Sequence, residues 1–301
     1  MLSRDEMPRL LRRAHIKRGY RPLHQSSGYY VQSAFAWHNE LVNIWTHFLP
    51  VFYLLAVYIY PEVTSPAPRF PVLLLCTGTF ILLVGSSMAH LLHSRSTHDH
   101  VFWYLVDFAG IAIFALSIGI QRFGCQSDLH PWLELLYLPS LVVVGVLCQF
   151  LSTSTLFVLH PHWPARDLVR MVTCFLLALW LYIPICHRYL SSDVDVDAGL
   201  RHHNRAFQWL LVSGIFMGGG VPERFAPGFF DLIGYGHQLF HICVLMIGWN
   251  LLEGADSDCS ADSVSGWMKS VGCAATALLA CTLIAHTVLA LSRTAKQRKY
   301  E

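Results

Sequence analysis

A polytopic all-α membrane bundle is the fold class this sequence predicts, and three observations predict it. Of 301 residues, 54% are hydrophobic and 13% charged, against roughly 25% charged in an ordinary soluble domain. Mean hydropathy is +0.45. The apolar residues gather into runs of the roughly 17–25 residues a helix needs to cross a bilayer, with no low-complexity segment between them. The net charge of +2 says less than the distribution of charge along the chain.

The first 43 residues form a basic segment with Arg4, Arg9, Arg12, Arg13, Lys17, Arg18 and Arg21. No apolar core follows directly, so this is not a cleavable signal peptide, and the first span is expected to act as an uncleaved anchor. The segment is expected to set topology and attract anionic lipid; it gives no reason to expect nucleic acid. Eight candidate spans follow, at about Ile44–Tyr60, Val72–Leu92, Phe102–Ile120, Trp132–Leu151, Leu168–Leu190, Phe207–Val221, Phe230–Leu252 and Val271–Leu291. The sixth is the shortest and ends in three glycines. Residues 44–252 make a seven-helix core, 253–270 an acidic extracellular loop with Glu253, Asp256, Asp258 and Asp262, 271–291 an eighth C-terminal transmembrane helix, and 292–301 a basic cytosolic tail. Connections are short, as in one compact bundle. Pro50, Pro139 and Pro184 fall within spans, where neighbouring helices can accommodate them.

Lysine and arginine set the orientation. With a cytosolic N-terminus and eight spans, 15 basic residues lie inside and six outside (Arg69, Arg122, Arg188, Arg201, Arg205 and Lys269). Seven spans would put the basic tail outside. Tyr29, Tyr30, Trp103, Trp132, Trp163 and Trp249 are expected at the membrane interfaces. His98, His100, His130, His160, His162, His202 and His203 fall in loops and tails, where solvated imidazoles are expected. The nine cysteines lack any CxxC, and most sit within apolar runs as buried small hydrophobes. Only Cys125 and Cys259 occupy clear inter-helix loops, where they could pair if both loops lie outside.

Four polar clusters interrupt the spans: Glu40, Asn43 and His47; Ser86 and His90; Asp107; and His237 with His241. Ionisable groups in hydrocarbon need a partner or a purpose. The charge-derived topology places all four clusters near the cytosolic face. His237 and His241, four residues apart, share a helix face, as do Ser86 and His90. With His90 they supply three imidazoles, the donor set of a catalytic zinc site that keeps water in its fourth position, and Asp107 is placed to bond that water. A lone HxxxH is a weak signal. Glu40 and Asn43 read as a cap or buttress of the first span, His47 as a partner for them or as a further ligand, and His93 as a neighbour of the site or an interfacial residue.

These residues carry a resemblance. The run from His38 to His47 (HNELVNIWTH) resembles the signature opening the first span of the progestin and adipoQ receptor family. Ser86-x-x-x-His90, then Asp107 seventeen residues on, then the run from Gly236 to His241 (GHQLFH), resemble its other motifs in order. The resemblance covers roughly residues 18–255. Gly19-Tyr20-Arg21-Pro22 and the eighth span are similar to the membrane progestin receptor branch. The resemblance implies an N-terminus inside, zinc held by His90, His237 and His241, and Asp107 and Ser86 near the metal-bound water. It also implies a plasma-membrane steroid receptor for progestins that signals through a heterotrimeric G protein and cyclic AMP, or a zinc-dependent lipid amidase acting on a sphingolipid, as in the related alkaline ceramidases. A purely structural zinc tying spans two, three and seven is the third reading. The sequence does not locate a steroid pocket.

Overall fold

A computed structural model describes residues 1–126, 129–191, 197–259, 267–298 and 300. The described residues are all helical apart from turns and one isolated bridge between Leu2 and Tyr20. After the short helix α1 (Ser27–Ser33) come α2 (Leu41–Thr64), α3 (Phe70–Arg95), α4 (Thr97–Gly124), α5 (Pro131–Leu159), α6 (Arg166–Ile185), α7 (Ala198–Gly219), α8 (Gly236–Asp258) and α9 (Trp267–Lys296). An apolar run becomes a helix in a bilayer because only a helix satisfies every backbone N–H and C=O within the segment.

Seven of these helices are long and apolar enough to span a membrane among the described residues: α2 to α6, α8 and most of α9. The sequence predicted eight. The exception is α7, which replaces the expected sixth span. It begins nine residues earlier, at Ala198, and so takes in Arg201, His202, His203 and Arg205. The seventh span was expected from Phe230, but residues 220–235 are a run of turns and bends and α8 begins at Gly236. Glu253, Asp256 and Asp258, expected in an acidic loop, belong to the last turns of α8; Asp262 lies outside the described residues, as does Lys299 of the basic tail.

Prolines mark the irregularities. Pro50 in α2 and Pro139 in α5 cannot donate a backbone hydrogen bond, and each helix widens into a π-helical stretch just beyond, at Leu55–Ile59 and Val143–Leu151. The central helix is α4, whose apolar window is 61% buried, against 22% for α6 and 17% for α9 at the periphery. Lipid tails are as apolar as leucine, so helices in a bilayer associate through close packing rather than the hydrophobic effect. Small residues allow it here. A Cβ on Gly110 of α4 would lie 3.1 Å from the Leu82 Cα, and one on Gly78 of α3 would overlap Ser117. This contact sets α3 and α4 against each other over their whole length and brings His90 and Asp107 to the same end of the bundle.

The N-terminal segment is more than a charged leader. Met7, Leu11 and Ile16 are buried with Tyr20 and Tyr235 in a small core of their own. This core lies outside the spans, so the ordinary burial term applies, about 1.5–3 kcal/mol for each aliphatic side chain. At the other end of the bundle, Cys125 after α4 and Cys259 after α8 form a disulfide. Beside it runs a chain of buried polar groups. Arg122 donates to the Leu181 carbonyl at 2.8 Å and to His203 Nδ1 at 3.0 Å; His203 Nε2 donates to Asp258 at 2.7 Å, and Asp258 pairs with Arg188 at 2.7 Å. Arg122, expected in an external loop, and His203, expected in solvent, are therefore both buried. So are His100 and Tyr30, because α1 and the N-terminal segment cover the end of the bundle where they lie.

Candidate metal centre and ligand cavity

Four helices deliver the predicted site residues. Glu40 stands at the N-cap of α2, with Asn43 and His47 on the following turns. Ser86 and His90 lie on the last turns of α3, Asp107 about three turns into α4, and His237 and His241 on the first turns of α8. His90, His237 and His241 bring one ligand-type atom each within 4.8 Å of one another, an arrangement able to hold a metal ion. His90 Nε2 and His237 Nε2 are 3.3 Å apart.

The hydrogen bonds decide which nitrogens are available. The Glu40 carboxylate receives Arg13 bidentately at 2.8 and 3.2 Å, and Asn43 Nδ2 at 2.7 Å. Burial alone would raise its pKa, but the Arg13 charge and hydrogen bonds from His90 and His93 outweigh that and hold it well below the ordinary carboxylate range. As an ionised acceptor, it takes a proton-bearing Nδ1 from His90 at 2.7 Å, which leaves the His90 Nε2 lone pair free. Thr46 spends its hydroxyl proton on the Asn43 carbonyl at 3.1 Å. At 3.0 Å from His241 Nδ1 it therefore accepts, and the Nε2 lone pair of His241 is free as well.

A second buried set, Glu40, His90 and His93, also places three donors within 4.8 Å. Its carboxylate is already held by Arg13, whose charge repels a cation, so the three-histidine set is the better candidate. His93 faces Glu40 at 3.4 Å and His100 at 3.1 Å. His47 meets neither Glu40 nor Asn43. Its ring stacks on His241 with centroids 3.9 Å apart, and both ring nitrogens lack a hydrogen-bond partner among the described residues.

Sequence reasoning missed the N-terminal contribution. Besides Arg13, the buried Arg21 guanidinium donates to the His90 and Leu91 carbonyls at 2.6 and 2.9 Å and to Ser94 at 3.1 Å. These carbonyls end α3, where a cation is favoured. Burial lowers Arg21 to about 10, which still leaves it charged at neutral pH. His38 accepts from the Glu40 amide on Nδ1 and donates from Nε2 to the Ser33 carbonyl; burial, then the Arg21 charge, push it down to about 3, so it stays neutral. The Gly-Tyr-Arg-Pro run was the one available signal for Arg21; nothing in the sequence marked Arg13.

The metal candidate opens onto a cavity of about 680 Å³. His47, Ser86, Asp107, His237 and His241 line one end, with Ser86 close enough to interact with the Asp107 carboxyl. The walls are side chains of α4, α6, α7 and α8, overwhelmingly apolar, among them Phe114, Leu177, Phe207 and Val244. Arg122 and Tyr182 lie at the far end. Asp107 and Arg122 are both on α4, fifteen residues apart, or about 22 Å along the helix.

A family model described as haemolysin-III related matches residues 35–249. Membrane progestin receptor beta of Sus scrofa is 32% identical over 257 residues, 80% of this chain and 72% of the relative. Membrane progestin receptor beta of Homo sapiens is 31% identical over 255 residues, with the same shares. Membrane progestin receptor alpha of Homo sapiens is 29% identical over 268 residues, 86% of this chain and 77% of the relative.

Proposed function

From the premise that this chain belongs to the haemolysin-III-related family, we propose that it is a plasma-membrane receptor for a steroid of the progestin class, with zinc at the inner end of its ligand cavity. The observation that carries the reading is the cavity itself, apolar along its walls and polar at its ends, which suits a rigid apolar ligand with a few oxygens. The relatives' names supply the ligand class. Signalling through a heterotrimeric G protein and cyclic AMP is part of the same proposal, as is an eight-span topology with α7 as a span.

Zinc fits the donors present. Tetrahedral bonds of about 2.0–2.1 Å set neighbouring nitrogens about 3.3–3.4 Å apart, and His90 Nε2 and His237 Nε2 stand at 3.3 Å. Orientation has support from the disulfide. His237 opens α8 and Cys259 follows its end; Asp107 lies early in α4 and Cys125 follows its end. The histidines and the disulfide thus occupy opposite ends of the bundle. Disulfides persist in oxidising compartments, which supports a cytosolic position for the histidines, the side that the basic residues also favour.

Saturable binding of radiolabelled progesterone to membranes bearing the protein is the expected result; binding no greater than in control membranes sinks the receptor reading. Metal analysis of purified protein beside the His237→Ala/His241→Ala variant tests the site separately, with loss of zinc expected in the variant.

One observation favours a second reading, a zinc-dependent amidase acting on ceramide: Ser86 and Asp107 line the cavity together with His237 and His241. Bound zinc would supply a water of lowered pKa and polarise the amide carbonyl. Asp107 would hold that water's proton and pass it to the leaving amine, and Ser86 would donate to the carbonyl oxygen. Release of sphingosine by wild type and none by His90→Ala is the expected pattern; equal release by the metal-free variant rules it out.

A further inference from the structure

The basic residues of the N-terminal segment are not spread evenly over its surface. Arg4, Arg9 and Arg12 converge with Arg166 and His162 around a pocket of about 340 Å³. It sits between the N-terminal turns and the connection from α5 to α6, at the same end of the bundle as Glu40, which the neighbouring Arg13 binds. We propose that this pocket binds a phosphomonoester-bearing headgroup, that of a polyphosphoinositide lipid in the facing leaflet.

Charge balance is the first argument. Arg4 and Arg9 have no carboxylate partner among the described residues, and the nearby Glu6 is turned away to accept from the Ser3 amide and hydroxyl, both at 2.7 Å. Arg166 alone has a carboxylate close by, Asp167 at 3.5 Å. Guanidinium groups facing one pocket repel one another, and a group carrying about −1.5 to −2 charges per phosphate relieves that repulsion. Neither a single carboxylate nor a zwitterionic headgroup matches the charge.

The pocket is also built in advance. Arg12 is fixed by bonds from Nε to the Met7 carbonyl at 2.8 Å and from Nη2 to the Asp5 carbonyl at 3.3 Å. Arg166 is fixed by a bond to the Pro161 carbonyl at 2.6 Å and lies over the Phe157 ring at 5.6 Å. Each keeps other N–H groups for a ligand, in the fork geometry that suits phosphate oxygens. Leu11, buried in the N-terminal core, anchors the turn carrying Arg9 and Arg12.

The source of the phosphate follows from position. The turn bearing His162 joins two membrane-spanning helices and exposes Trp163, a residue type that settles at headgroup level. A lipid headgroup reaches this pocket without leaving the bilayer surface. This site does not depend on the steroid or zinc readings and is tested without them.

The test uses the full chain in phosphatidylcholine nanodiscs. One set contains phosphatidylinositol 4,5-bisphosphate, a second contains phosphatidylserine at matched total charge, and a detergent arm uses soluble inositol trisphosphate. Wild type is expected to retain the bisphosphate lipid about tenfold better than phosphatidylserine, and Arg4→Gln/Arg9→Gln to lose about tenfold, as for the removal of charge-assisted contacts. Neither replaced side chain makes a hydrogen bond among the described residues, so the variant's thermal stability should match wild type and any loss reports on the pocket. Inositol trisphosphate binding as tightly as the lipid, with the same loss in the variant, upholds the phosphate site and reassigns its source to a soluble ligand. Equal retention of phosphatidylserine and the bisphosphate lipid, or full retention by the variant, overturns the proposal.

Discussion

Glu40 binds His90 across 2.7 Å while Arg13 grips the same carboxylate from the other side. Arg13 of the N-terminal segment is thus joined by two hydrogen bonds, through Glu40, to an imidazole that borders the space enclosed by the three histidines. The arrangement matches the carboxylate–histidine–metal relay, in which the outer carboxylate fixes the ring and raises its basicity.

That relay gives Glu40 a measurable role. Glu40→Gln keeps the size of the side chain but removes the charge and can present an N–H to His90 instead of an acceptor. Zinc affinity should fall about 10–100-fold, read by competition with a chromophoric chelator. Arg13→Gln should show a smaller fall, because it leaves the carboxylate in place. Unchanged affinity in Glu40→Gln would mean that the carboxylate has no influence on the metal.

The first turn of α8 makes a separate demand. The Gly236 amide donates to Glu223 at 2.6 Å, and a Cβ there would lie 2.7 Å from the Phe216 carbonyl oxygen and 2.8 Å from that of Val221. Both are backbone atoms that cannot swing aside. Gly236→Ala should displace the start of α8 and His237 with it, at a cost of roughly 1–3 kcal/mol from overpacking. Loss of bound metal with a lower melting temperature is the expected result. Gly214→Ala is the control, since its added Cβ meets nothing within 4 Å.

The disulfide makes a third prediction. Cys125→Ser/Cys259→Ser should lower thermal stability by roughly 2–4 kcal/mol while leaving metal content unchanged, because the histidines lie at the opposite end of the same helices. In wild type, a membrane-impermeant thiol reagent applied to intact cells should label neither residue until a reductant is added. Labelling without reductant would show the pair to be open.

The spans and the metal candidate were legible in the sequence for one physical reason. Hydrocarbon tolerates few polar groups, so each one in a long apolar run stands out. His90, Asp107, His237 and His241 could be picked individually, and the charge pattern put them at one depth. Helix α7 was harder, because a helix packed along α8 can bury His203 where a lipid-facing one cannot. The contacts of Arg13 and Arg21 were not legible. They join residues 27 and about 70 positions apart, and no periodicity records such pairs. Glu40 and Asn43 read as a cap or buttress of the first span; the bond from Glu40 to His90 depends on how α2 meets α3. For Cys125 and Cys259 the sequence could only say that both lay in loops.

The tied ends of α4 and α8 have a mechanical consequence. The disulfide fastens the two helices at one extremity, and the polar cluster holds them against α2 and α3 at the other. Across the cavity, α6 meets α7 through ring contacts of Phe207 with Phe175 and Tyr182, whereas α7 packs along α8. Separating α6 from α7 is therefore the least costly way to open the chamber, and with α7 as a span, as proposed above, that seam would face the acyl chains. A guest would enter sideways after dissolving in the bilayer, so its occupancy should follow its concentration in the lipid and not in the water.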